Sequence, residues 1–150
     1  MRQSPGQIAV AAVAAAGTLI LTGCVTNTDV PTTFTATVTV TGDADQTSVE
    51  FGECTIAGNR VAPNDQLNIF GDSGAGSTRS TLETETIDQN PDGTGTCTYT
   101  SHFDAIPANQ RSYDLYLHEG FAQQSFTSDE LKNGATYVLH SSAPDRGTGN

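Results

Sequence analysis

From Phe34 to Thr41 apolar and polar residues alternate without a break. Phe34, Ala36, Val38 and Val40 fall on one face, and the threonines at 35, 37, 39 and 41 on the other. Successive strand side chains point to opposite sides, so this run predicts a half-buried β-strand, and its β-branched residues suit a pleated surface. The same period returns at 97–104, where Cys97, Tyr99, Ser101 and Phe103 oppose Thr98, Thr100, His102 and Asp104. It returns again at 112–118, with Tyr113, Leu115 and Leu117 inward and Asp114, Tyr116 and His118 outward. Shorter strands are expected at 47–51, at 66–70 with Leu67 and Ile69 inward, at 121–126 and at 135–139. The stretch 80–87 (STLETETI) alternates weakly, and its glutamates suit a sheet edge, where charge discourages pairing with another chain.

Turn residues separate these runs. The segments 42–45, 71–77 and 88–95 are rich in Gly, Asp, Ser, Asn and Pro, 57–64 reads as a loop, and 105–111 contains Pro107. Residues 127–131 (TSDEL) have the capping character of a single helical turn. A symmetric hairpin closed by 105–111 would set Phe103 opposite Tyr113 and Tyr99 opposite Leu117, with His102 opposite Asp114 on the outer face. No helix of core length is present. About seven short antiparallel strands with turns between them predict an all-β fold, a single immunoglobulin-like or transthyretin-like β-sandwich over 34–140. Its tail, 141–150, is expected to be disordered.

The N-terminus follows a different pattern. Met1 and Arg2 precede an apolar, alanine-rich run from Ile8 to Leu21, too short to span a bilayer comfortably, and Leu21-Thr22-Gly23-Cys24 closes it. A basic start, an apolar stretch and small residues before a cleavage point make a secretion signal. Leu21-Thr22-Gly23-Cys24 resembles the lipobox of bacterial lipoproteins. That resemblance implies removal of residues 1–23 and a diacylglyceryl group on the thiol of Cys24. The polar segment 24–33 would then be a flexible membrane-proximal tether, reaching at most about 30 Å when extended. The implied location is the extracytoplasmic face of the cell membrane, with the lipid on Cys24 as anchor.

Composition narrows the partners. The full chain carries a net charge of −11 with 17 acidic residues, and cleavage, by removing Arg2, would leave it more acidic still. Such a surface repels nucleic acid, so a nucleic-acid partner is excluded. With Cys24 assigned to lipid, Cys54 and Cys97 remain, and two cysteines in an exported chain are expected to form a disulfide. Zinc would need four ligands, and neither cysteine lies in a CxxC or near a histidine at ligand spacing.

A second resemblance extends over roughly 49–139. Cys54, Gly71-Asp72, Cys97-Thr98-Tyr99, Ile106-Pro107, Tyr113-Asp114-Leu115-Tyr116 and Phe126-Thr127-Ser128-Asp129-Glu130-Leu131 follow in an order similar to a domain of uncharacterised actinobacterial exported proteins and lipoproteins. It supports an exported β-domain and implies no active site.

Candidate chemistry is sparse. Gly71-Asp72-Ser73-Gly74 is similar to the nucleophile motif of trypsin-like proteases, but all three histidines follow Ser73, and a chain this short cannot form two barrels. Position 75 is alanine, so the motif is not a nucleophile elbow either. Asp43, Asp45 and Glu50, or Asp88 and Asp92, offer oxygens to Ca²⁺ without the regular spacing of a calcium loop. His102 and Asp114 would form a surface carboxylate–imidazole pair with no nucleophile beside it. The expectation is therefore a non-enzymatic binding or structural module without cofactor or metal, meeting an envelope protein or glycan. The alternative is a small envelope hydrolase or metal-dependent enzyme.

Overall fold

The computed structural model describes residues 32–72 and 77–142. Among the described residues, eleven strands and one short helix form a β-sandwich-like fold around a single apolar core. The strands are β1 (Thr33–Ala44), β2 (Gln46–Ser48), β3 (Glu53–Ile56), β4 (Asn59–Val61), β5 (Gln66–Gly71), β6 (Thr78–Thr81), β7 (Glu83–Gln89), β8 (Gly95–Pro107), β9 (Tyr113–Tyr116), β10 (Gln124–Phe126) and β11 (Thr136–Val138). The helix, α1, covers Ser128–Lys132. One sheet runs β11-β1-β8-β7, the second β10-β9-β5-β6, and a small third β2-β3-β4. All strand pairs are antiparallel except β1 with β11, which is parallel.

The alternation predicted along the long strands is present in the burial. Ala36, Val38 and Val40 of β1 and Cys97, Tyr99, Ser101 and Phe103 of β8 all face the core, as do Leu67, Ile69, Tyr113, Leu115 and Leu117. β7 occupies a sheet margin, as its glutamates suggested. The short helix stands where capping chemistry placed it. Thr127 accepts from the Glu130 amide while the Glu130 carboxylate accepts from the Thr127 N–H, a reciprocal capping box. The Thr127 N–H, first, and the Thr127 hydroxyl, which donates to the same carboxylate at 2.9 Å, hold the Glu130 carboxyl below its usual range.

Several connections differ from expectation. The strand expected at 47–51 is divided, because Val49 to Gly52 form the turn between β2 and β3. Residues 57–64 contain a strand, β4, hidden because Ala57 and Gly58 form a two-residue turn with both φ angles positive, 48° and 77°. That is the twist-compatible hairpin geometry that Asn-Gly usually signals, and alanine does not advertise it.

The largest correction concerns 105–111. β8 does not fold back onto β9. It continues to Pro107 and pairs with β1 and β7, whereas β9 pairs with β5 and β10 in the other sheet. The expected opposition of Phe103 with Tyr113 and of Tyr99 with Leu117 is thus not a ladder contact. A register shift between Phe34 and Ala36 explains the change of path. β8 carries an extra residue there, Asp104 and Ala105 are both exposed, and Ile106 regains the core. Such a bulge bends a strand and sharpens its twist, here at the end where the chain crosses between sheets.

Ser141, expected in the disordered tail, bridges Phe121, and the Ser142 N–H donates to the Gly120 carbonyl at 3.1 Å. The remainder of that tail, the signal segment and the tether up to residue 31 lie outside the described residues, as do Ser73 and Gly74. The anticipated Cys54–Cys97 disulfide is formed, joining β3 to β8 with a Cα–Cα distance of 6.6 Å.

Ser101 is fully buried, and its hydroxyl has no hydrogen-bond partner among the described residues. A buried unpartnered hydroxyl costs roughly 1–3 kcal/mol of desolvation. Ser101→Ala should therefore raise stability by about 1 kcal/mol, while Leu115→Ala and Leu117→Ala each lower it by about 2–4 kcal/mol. Denaturant melts of the three variants check this, and a Ser101→Ala protein clearly weaker than wild type would contradict the assignment.

Candidate functional site

The loop Val49–Gly52 is held from beneath and exposed above. Gly52 takes φ +69°, a conformation that L side chains rarely adopt, and a Cβ there would stand 2.6 Å from Oγ1 of Thr84. Its carbonyl accepts hydrogen bonds from the Tyr99 hydroxyl at 3.0 Å and from the Thr84 hydroxyl at 3.2 Å. The Tyr99 hydroxyl also reaches the Val61 carbonyl at 3.1 Å, so one phenol ties the loop and β4 to β8. Burial, the largest cause, and the carboxylates of Asp65 and Glu53 push its pKa up to about 12.

Above this clamp the side chains of Val49 and Phe51 are 57% and 65% exposed. A loop fixed by two hydrogen bonds to its own carbonyl keeps both groups presented instead of letting them collapse inward. Next to it lies β7, which among the described residues pairs only with β8 and carries a register shift between Thr84 and Thr86. Glu83, Glu85 and Asp88 are exposed along this strand. On the other side of the loop Glu53 forms an ion pair with Arg60, whose Nε donates at 3.1 Å. The Arg60 hydrogen bond holds the Glu53 carboxyl below its usual range. The surface thus combines two apolar side chains, an acidic border and a strand margin, which suits it to contact with another molecule.

The sequence placed Val49 and Phe51 in a strand and missed this surface. Alternating apolar residues around Glu50 read as a pleat, and only Gly52 signalled a turn.

The residues singled out earlier are dispersed. His102 and Asp114 are not a pair: they lie in different sheets. The Nδ1 of His102 is 3.0 Å from the Thr37 hydroxyl, and the Asp114 carboxylate accepts from the Ser125 hydroxyl. His102 lines a shallow groove of about 370 Å³ together with Asp104, Lys132 and Asn133. Lys132 rests its ammonium 5.1 Å from the centre of the Phe34 ring.

Three of the aspartates considered for Ca²⁺, Asp43, Asp45 and Asp92, hydrogen-bond the backbone or neighbouring hydroxyls. Asp45 accepts from the Gly58 N–H at 3.3 Å and Asp43 from the Thr96 hydroxyl at 3.4 Å. Asp92 accepts from the hydroxyl and the N–H of Thr94, and these bonds hold its carboxyl below the ordinary value. Among the described residues no group of three or more His, Cys, Asp or Glu could hold a metal ion. Asp72 lies at the end of β5, where its carboxylate accepts from the Arg111 N–H at 3.2 Å. No family model, curated protein or solved structure matches the chain.

The clamp has a pH signature. Tyr137, whose hydroxyl donates to the Ala122 carbonyl at 2.9 Å, is likewise raised to about 12 by burial. An unfolded tyrosine ionises near pH 10, so both groups favour the folded state fully below about pH 10. That contribution is lost as pH rises from there through about 12, when folded phenols would have to carry a buried charge. Burial raises Tyr113 as well, so ultraviolet titration of the native protein should show Tyr99, Tyr137 and Tyr113 ionising late, and Tyr99→Phe should remove one of the two that ionise latest. Because it leaves the Gly52 and Val61 carbonyls without this donor, Tyr99→Phe should also cost about 1–3 kcal/mol in a denaturant melt. Normal ionisation of all four tyrosines would contradict the clamp.

Proposed function

We propose that this protein is a bacterial envelope lipoprotein that holds an acidic β-sandwich at the extracytoplasmic face of the cell membrane and acts as a binding module. The observation that carries the binding reading is the pinned Val49–Gly52 loop, which exposes Phe51 and Val49 beside the unshared margin of β7. The anchoring reading rests on Leu21-Thr22-Gly23-Cys24 and the apolar run before it. The partner class is an envelope protein or glycan, and the acidic border disfavours polyanions.

Two experiments test the two halves. Cys24→Ser should abolish incorporation of labelled fatty acid and block maturation at the normal site. Each buried CH₂ contributes about 0.8 kcal/mol, so two or three acyl chains anchor stably where one exchanges. Wild-type protein found unlipidated in the medium would overturn the anchor. For the binding surface, a photo-crosslinking residue at position 51 should give a specific adduct on intact cells, while one at Arg79 should not. Phe51→Ser should reduce capture of the same partner by about tenfold while changing stability by no more than about 0.5 kcal/mol. Equal adducts from both positions would contradict the assignment.

A further inference from the structure

The pairing register of β1 and β8 gives the domain two distinguishable ends. Thr33 lies opposite Pro107 at one end, and Ala44 opposite Gly95 at the other, roughly 35 Å away along a strand of this length. The chain enters at the first end, where the Thr32 carbonyl accepts from the Ala108 N–H at 2.7 Å. Charge is distributed very unevenly between the ends. Lys132 lies over Phe34, Arg111 donates its N–H to Asp72 beside Ser112, and Arg79 sits between Thr78 and Ser80, whose hydroxyls reach the carbonyls of Ala105 and His102. All three cations therefore belong to the entry end. Asp72, Asp104, Asp114, Asp129 and Glu130 accompany them, so the cations offset most but not all of the negative charge at this end.

The opposite end has no such compensation. Asp43, Asp45, Asp88 and Asp92 occupy the turns around Ala44 and Gly95, and Glu83 and Glu85 lie on the way there. The one described cation in that half, Arg60, is taken by Glu53.

We propose that the domain stands upright on an anionic lipid surface, with the end bearing Lys132, Arg111 and Arg79 toward the headgroups and the aspartate-rich end away from them. The inference rests on the anchoring reading, because the segment from Cys24 enters at the less acidic end and keeps it close to the bilayer. Physically, the field of an anionic leaflet decays within about 8 Å at physiological ionic strength. Upright, the acidic end is several such lengths from the surface and is scarcely repelled. Lying flat or inverted, it would enter that field with its carboxylates uncompensated, while the cations would lose their attraction to phosphate. The occupant of the entry end is thus the anionic membrane itself, and the acidic end and the Phe51 surface are left to face outward.

The test uses the lipidated protein in vesicles, with a fluorophore attached at Thr35→Cys or Pro91→Cys under non-reducing conditions and an acceptor dye among the lipids. In phosphatidylglycerol vesicles transfer from position 35 should exceed that from position 91 at least about twofold, given the roughly 35 Å between the ends. The difference should shrink in phosphatidylcholine vesicles, and in about 1 M salt, where the screening length falls to about 3 Å. The double change Lys132→Glu and Arg111→Glu should shrink it in anionic vesicles alone. Equal transfer from both positions in anionic vesicles, or a difference that ignores salt and lipid charge, would overturn the proposal. Flotation of the protein with the vesicles is read first. A chain that fails to float contradicts the lipid anchor only. The same probes are then read on the chain from residue 24 held by an N-terminal hexahistidine on nickel-chelating lipid, so orientation is decided in either case.

Discussion

The junction of β8 with the small sheet is the constraint on which the rest depends. Within three residues of β8, Cys97 makes the disulfide to β3 and Tyr99 hydrogen-bonds both the 49–52 loop and β4. The β2-β3-β4 sheet is too small to bury a core of its own, and short isolated hairpins are marginal in water. What keeps it in place is one covalent bond that limits the unfolded chain and one buried phenol whose single O–H is shared between two carbonyls. The two act differently. The disulfide limits how far the sheet can separate, and the phenol sets how the loop is oriented, so exposure of Phe51 follows from Tyr99 more directly than from Cys97.

Much of this was legible in the chain because period-two burial is a local property. β1 and β8 alternate so regularly that their inward faces could be read residue by residue, and a one-residue slip would have reversed them. The cysteine pair, too, was legible from the number of cysteines and the expectation of export. Pairing between strands was not, because it is decided by contacts distant in sequence. The 105–111 segment looks like a hairpin turn, yet the bulge at Asp104-Ala105 carries β8 onward to Pro107 and the chain crosses to the other sheet. With that crossing, the His102–Asp114 pair dissolves: each residue is turned away from the core on its own sheet, His102 exposed and Asp114 half-buried, and the partner was wrong. The Ala57-Gly58 turn and the Val49–Gly52 loop were obscured for a related reason. Their backbone geometry is imposed by the strands they join, and their residue types signal it weakly.

The margins of the sheets explain why one of them is available for binding. β11 would expose a row of unpaired groups, but the Gln124 side-chain amide donates to the Val138 carbonyl at 2.5 Å and accepts from its N–H at 3.4 Å, in place of a neighbouring strand. Beyond Thr100, where β7 ends its pairing, the hydroxyls of Ser80 and Thr78 cover the carbonyls of His102 and Ala105 on β8. Side chains thus close both flanks between the two larger sheets. β7 is treated otherwise. It is protected against its own kind by Glu83 and Glu85 and by the shift in register at Thr84–Thr86, devices that discourage a second copy from adding as a strand. Like charges repel only like charges, however, so the same glutamates leave the margin accessible to a neutral or basic partner. With Phe51 fixed beside it, this margin carries both an apolar contact and a filter on what can approach, and self-association is disfavoured by the features that admit another molecule.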